Sequence, residues 1–171
     1  RSLDEPSSSY GHIASGYILS DDKLSVIYYI KDNAYFSNGD KITANDVEFS
    51  YKTLTGKDAH PQYKIYWSDI REVTVLNKKS IKFTFNQKNP ELHMIIGDIP
   101  VFSKKWFNGK NFSESILDEP VASGPYIVSK YETGRFIEYK KNPNYWAQNE
   151  PTRRGMFNFE KIIFKYYKDM T

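Results

Sequence analysis

The run Phe36-Ser37-Asn38-Gly39-Asp40-Lys41-Ile42-Thr43-Ala44-Asn45-Asp46-Val47 places a tight reversal directly before a capped helix. Asn38-Gly39 supplies the positive φ that a close turn demands, because an L side chain clashes there and glycine has none. The Thr43 hydroxyl is suited to capping a free amide of the first helical turn, and Asp46 can reach back to close a capping box. Val47, Tyr51 and Leu54 then recur at i, i+4 and i+7 as one apolar stripe, and Gly56 predicts the helix stop.

Outward from this run the chain alternates strands with short helices. Upstream, residues 24–30 put Leu24, Val26, Tyr28 and Ile30 on one face, as a half-buried strand requires. Downstream, residues 70–76 and 80–85 predict a hairpin joined by Asn77-Lys78-Lys79. In its second arm Ile81, Phe83 and Phe85 alternate with Lys82 and Thr84, one face dry and the other wet. Pro90 opens a short helical stretch with the stripe Leu92, Ile95, Ile96 and Ile99, and Pro100 closes it. Beyond a polar loop at 108–120, strands are expected at 126–131, 136–140 and 161–167, the first two turning at Glu132-Thr133-Gly134-Arg135. The pattern is α+β.

Composition narrows the chemistry. Among 171 residues, 16% are aromatic, with 14 Tyr and 11 Phe, which favours sheets over a helical bundle. The absence of Cys removes disulfides, thiol catalysis and Cys-based zinc sites. A net charge of +3 comes from 24 basic and 21 acidic residues spread along the chain. Basic pairs such as Lys78-Lys79, Lys104-Lys105 and Lys140-Lys141 read as solvated surface, so no nucleic acid is expected. No apolar run approaches the roughly twenty residues a spanning helix needs. His12, His60 and His93 lack metal-ligand spacing, with His60 read as lying in a loop before a Pro. Ser123-Gly124 is followed by Pro125, which spoils a nucleophile elbow. Gly11 and Gly16 form no phosphate loop. No carboxylate pair stands out as an acid–base couple, although glycosidase carboxylates can be distant in sequence.

Four segments, in order, carry a family resemblance. Residues 36–47 resemble the F-S-D-G-x-P-L-T-A-x-D-V run of family 5 extracellular solute-binding proteins, the binders of oligopeptides, dipeptides and nickel. Residues 70–85 look like that family's hairpin. Ser123-Gly124-Pro125-Tyr126 is similar to its G-T-G-P-Y, and Lys141-Asn142-Pro143-Asn144-Tyr145-Trp146 to its R-N-P-x-Y-W. Asn38, Lys41 and Lys141 depart from the usual Asp, Pro and Arg, all at exposed turns. The opening Arg1-Ser2-Leu3-Asp4-Glu5-Pro6, Tyr10-Gly11, Arg154-Gly155 and Asn158-Phe159 look more like the microcin C and peptide-scavenging branch.

The resemblance implies a type II periplasmic-binding-protein fold, in which two lobes close on a solute and the loaded protein docks on the inner-membrane permease of an ABC transporter. It implies no enzyme and no cofactor, an extracytoplasmic or periplasmic monomer, and a peptide or peptide-like ligand. The chain, opening at Arg1 without an initiator Met, reads as an excised piece of the first lobe. Residues 1–9 and 124–171 would belong to the main subdomain and 10–123 to an inserted one, the second lobe lying outside this chain. Arg1 and Ser2 would line the cleft by their backbone. Tyr63, Tyr66 and Trp67 would face it from a loop, with core packing as the alternative for these three. Trp146 is expected to be a buried anchor, and Trp67 the one that meets solute. Nickel chelates, haem or sugars remain open as ligands, as do a β-rich structural or adhesion module and a piece of a hydrolase.

Overall fold

The computed structural model describes residues 8–112, 114 and 118–167. Two antiparallel sheets carry the chain. The first has the order β1-β2-β4-β3, from β1 (Ala14–Leu19), β2 (Ser25–Ile30), β3 (Ile70–Asn77) and β4 (Ser80–Phe85). The second is β5-β6-β7, from Tyr126–Glu132, Phe136–Lys141 and Lys161–Lys165. Between them in sequence lie α1 (Ala44–Thr55), α2 (Pro61–Tyr66), α3 (Leu92–Gly97) and α4 (Lys104–Phe107).

Register explains the core. Val26 pairs with Phe83, and Phe83 with Val73; Tyr28 pairs with Ile81, and Ile81 with Val75. Because side chains alternate across a strand, these residues share one face of the sheet. Phe83, Ile81 and Phe85 are almost fully buried there, with Val47 and Leu54 of α1 in the same cluster. Each such apolar side chain contributes about 1.5–3 kcal/mol on burial.

The decisive run folds as expected. Gly39 takes φ +84°, and a β-bridge joins Tyr35 to Lys41 across the turn. At the start of α1 the capping box forms: the Asp46 carboxylate accepts from the Thr43 N–H at 2.9 Å and from its hydroxyl at 2.7 Å. Gly56 does end the helix, but with ordinary extended φ. Its glycine matters for room, since a Cβ would meet the Lys52 carbonyl oxygen at 2.9 Å.

Three elements go beyond the sequence reading. β1 pairs with β2 through a bulge at Ala14/Gly16. Ser103 caps α4, its Oγ accepting from the Trp106 N–H at 3.2 Å. Residues 61–66, expected as loop, form α2. Pro61 occupies its first turn, where the missing N–H costs nothing, and His60 is its N-cap, accepting from the Gln62 N–H at 3.3 Å.

Candidate functional site

The site is built on a turn at residues 142–146. Asn142 is buried, and its side-chain oxygen accepts from the Asn144 N–H at 3.0 Å, folding the chain back on itself. This turn is clamped onto the Ser123-Gly124-Pro125 segment by three carbonyls. Ser123 O accepts from the Trp146 indole N–H at 3.1 Å, Gly124 O from the Asn142 amide at 3.4 Å, and Pro125 O from the Asn142 backbone N–H at 2.8 Å. The turn at 36–39 docks beside it, Ser37 N–H donating to Ala122 O at 2.7 Å and Ala122 N–H to Ser37 Oγ at 3.3 Å. Three of the four sequence motifs thus converge on one place.

They border an open hollow of about 540 Å³ lined by Asn33, Tyr35, Phe36, Ser37, Asn38, Gly39, Asn144 and Trp146. Aromatic rings and neutral amides make up its wall, with no carboxylate and no cation. Such a surface can stack against a flat group and exchange hydrogen bonds with amides. It presents no nucleophile–base pair. Among the described residues, no group of three or more His, Asp or Glu could hold a metal ion.

A second hollow of about 210 Å³ opens on the other side of the same turn, with Asn142 and Tyr145 in its wall. Behind the turn, Lys31 Nζ meets Glu150 Oε2 at 2.7 Å and lies 5.9 Å from the Trp146 ring centroid. His12 stacks on Trp146 at 4.8 Å, and its Nε2 is 3.4 Å from the Tyr145 hydroxyl. Burial, then the positive charges of Arg153 and Lys31, push the His12 imidazole down to about 4, against an opposing pull from Glu150. It is therefore neutral at physiological pH. Burial holds the Tyr145 phenol above its ordinary range.

The sequence-expected residues lie elsewhere. Arg1 and Ser2 fall outside the described residues. Tyr63, Tyr66 and Trp67 come together, but line neither hollow. The Tyr63 ring stacks on Trp67 at 5.8 Å and Tyr66 meets it edge-on at 5.5 Å. Of the two readings open for Trp67, burial matches core packing. Trp67 is only 4% exposed and belongs to the main core, because α2 turns it inward and leaves Tyr63 and Tyr66 outside at 41% and 52%. Trp146 is half-buried, both an anchor and part of a wall. Asn33 and Asn144 were missed; their only sequence signal is membership of turn-forming stretches.

Residues 9–171 match the family described as bacterial extracellular solute-binding proteins, family 5 Middle. A binding protein of Brucella melitensis biotype 1 is 36% identical over 173 residues, covering 100% of this chain and 28% of that protein. YejA of Agrobacterium fabrum, named for peptide binding, is 29% identical over 174 residues, covering 97% of this chain and 28% of its own length. The solved structure of the pheromone receptor PrgZ, described with its mode of peptide binding, superposes with a TM-score of 0.77 at 20% identity, over 98% of this chain and 36% of that one. Such likeness places the fold among type II periplasmic binding proteins. The chain thus spans 28% of the length of the first of these relatives, and it belongs to the family 5 bacterial extracellular solute-binding proteins.

Proposed function

We propose that this protein captures peptides or peptide-like solutes outside the cytoplasm and delivers them to the permease subunits of an ABC transporter in the inner membrane. Binding and lobe closure are the whole mechanism; no bond is made or broken, and the protein acts as a monomer without nucleic acid or cofactor. The observation that carries the reading is the family match over residues 9–171. The peptide-binding name of the Agrobacterium relative supports the ligand class, as does a hollow walled by amides and aromatic rings. Backbone amides of an extended ligand suit such a wall, with water filling the remainder. The finer kinship proposed, to the microcin C and peptide branch, rests on the likeness of Arg1-Ser2-Leu3-Asp4-Glu5-Pro6, Tyr10-Gly11, Arg154-Gly155 and Asn158-Phe159.

In this proposal the chain is part of the first lobe, with 10–123 as the inserted subdomain and 1–9 with 124–171 in the main one. The boundary is supported by the two sheets, which fall on either side of residue 124. Arg1 and Ser2 contribute backbone to the cleft. Tyr63 and Tyr66 offer an aromatic surface to the ligand, backed by Trp67. The test is uptake: a strain lacking the gene should lose import of a labelled tripeptide and regain it with the wild-type gene. Unchanged import in the deletion strain, with no other peptide system present, would overturn the reading.

A further inference from the structure

The smaller hollow differs from the larger one in charge. Lys141, Arg153 and Arg154 all line it, and no Asp or Glu does. Among the described residues, none of these three cations has an ion-pair partner. Arg153 Nε is buried without any hydrogen-bond partner, and a buried donor left unmade is costly. The near carboxylate in sequence, Glu150, does not relieve it. That group is engaged by Lys31 Nζ at 2.7 Å. The backbone holds the arginines in place: Arg153 and Arg154 N–H groups both donate to Glu150 O, at 2.8 and 3.0 Å. Gly155 at φ +81° then reverses the chain, and the Asn158 amide donates to Gly155 O at 2.9 Å to fix the reversal.

Unpaired cations gathered in one concave wall repel each other, and a shared anion reverses the sign of that energy. A guanidinium presents donors in a planar fork that matches the two oxygens of a carboxylate or phosphate. The neutral side chains of Gln148 and Asn149 in the same wall can complete the coordination. We infer that this hollow is a binding site for a small oxyanion, the carboxylate or phosphate group of a larger solute, held by Arg153 with Arg154 and Lys141. The hollow is large enough for one such group and a few attached atoms. The assignment stands apart from the transport reading, since it rests on charge and geometry at residues 141–158 alone.

The test is thermal unfolding of the intact protein that carries this chain, in inorganic phosphate, in acetate, and in chloride at matched ionic strength. A ligand that binds only the folded state raises Tm with concentration. At least one of the two oxyanions should raise Tm above chloride in a saturable way. Arg153→Gln should weaken that effect roughly tenfold or more in apparent Kd, and Arg153→Lys should restore part of it. Arg154→Ala, at an exposed position, should also weaken it; this variant decides the matter if Arg153→Gln does not fold. Lys78→Ala, in the β3–β4 turn, should change nothing. A larger shift with phosphate assigns the site to phosphoryl groups, and a larger shift with acetate to carboxylates. No shift beyond chloride, or a shift in Arg153→Gln and Arg154→Ala as large as in wild type, would overturn the inference. An anion effect in a protein that binds no peptide would uphold this site while sinking the transport proposal.

Discussion

The indole N–H of Trp146 donates to the carbonyl of Ser123 at 3.1 Å, tying two motifs that lie 23 positions apart. The same ring stacks on His12 at 4.8 Å and forms part of the larger hollow. Trp146→Ala should therefore lower unfolding free energy by about 2–4 kcal/mol, a little under the cost for a fully buried Trp. Trp146→Phe keeps most of the packing and loses the donor, for about 1 kcal/mol. Urea unfolding measures both; equal costs for the two variants would show that the hydrogen bond, not the ring, holds the turn.

Asp46 links distant parts of the helical cover of the four-stranded sheet. Besides closing the cap at Thr43, its carboxylate accepts from the backbone N–H of Lys104 at 3.0 Å, 58 positions away. One turn on, fully buried Ser50 donates to the Asp46 carbonyl at 2.6 Å and accepts from the Phe102 N–H at 2.7 Å. Asp46→Ala strands three donors, and should cost about 2–4 kcal/mol. Ser50→Ala should cost about 1–3 kcal/mol by stranding one. Hydrogen exchange should show the Phe102 and Lys104 amides losing protection in the respective variants. Unchanged exchange would contradict the linkage.

Acid should loosen the junction behind the turn. His12 sits at about 4, below its ordinary 6.5. Between those values the unfolded chain takes up a proton that the folded chain refuses. The unfolded state then binds more protons, so this residue's contribution to stability is present above 6.5 and is lost as pH falls toward 4. His12 is only partly buried, so solvent screening tempers the effect. Melting temperature should fall by a few degrees across that window more in wild type than in His12→Asn. Identical slopes would remove His12 from the account.

The aromatic surface on α2 separates stability from binding. Trp67 lies in the core, and Trp67→Ala should cost about 3–5 kcal/mol. Tyr66 is 52% exposed, and Tyr66→Ala should leave stability within about 0.5 kcal/mol. If that face meets ligand as proposed, Tyr66→Ala should weaken peptide affinity by about 1–2 kcal/mol. Wild-type affinity in this variant would remove Tyr63 and Tyr66 from the site.

Much of the fold was legible because its signals are local. The Thr43–Asp46 cap announces α1, and the alternation of Ile81, Phe83 and Phe85 announces β4. β1 escaped because Ser15 and Gly16 interrupt its pattern at a bulge, and at the sheet edge none of its residues is fully buried. α2 and α4 have six and four residues, too short to stand without tertiary support. Trp67, followed by polar Ser68-Asp69, looked like surface until α2 turned it inward. The larger hollow was not legible, because Asn33 and Asn144 come to one wall only through the clamp of Asn142 and Trp146 on residues 123–125. Each motif was visible in the sequence; their convergence was not.

The decisive measurement for peptide capture is calorimetric titration of the intact protein with short peptides, with wild type and Trp146→Ala compared at a temperature where both are folded. Wild type should give saturable heat with a one-to-one stoichiometry, and the variant an affinity weakened at least tenfold, about 1.4 kcal/mol. Saturable binding of equal affinity in both would place the ligand away from the hollow that Trp146 helps to form. No saturable heat with any peptide would contradict the proposed function itself.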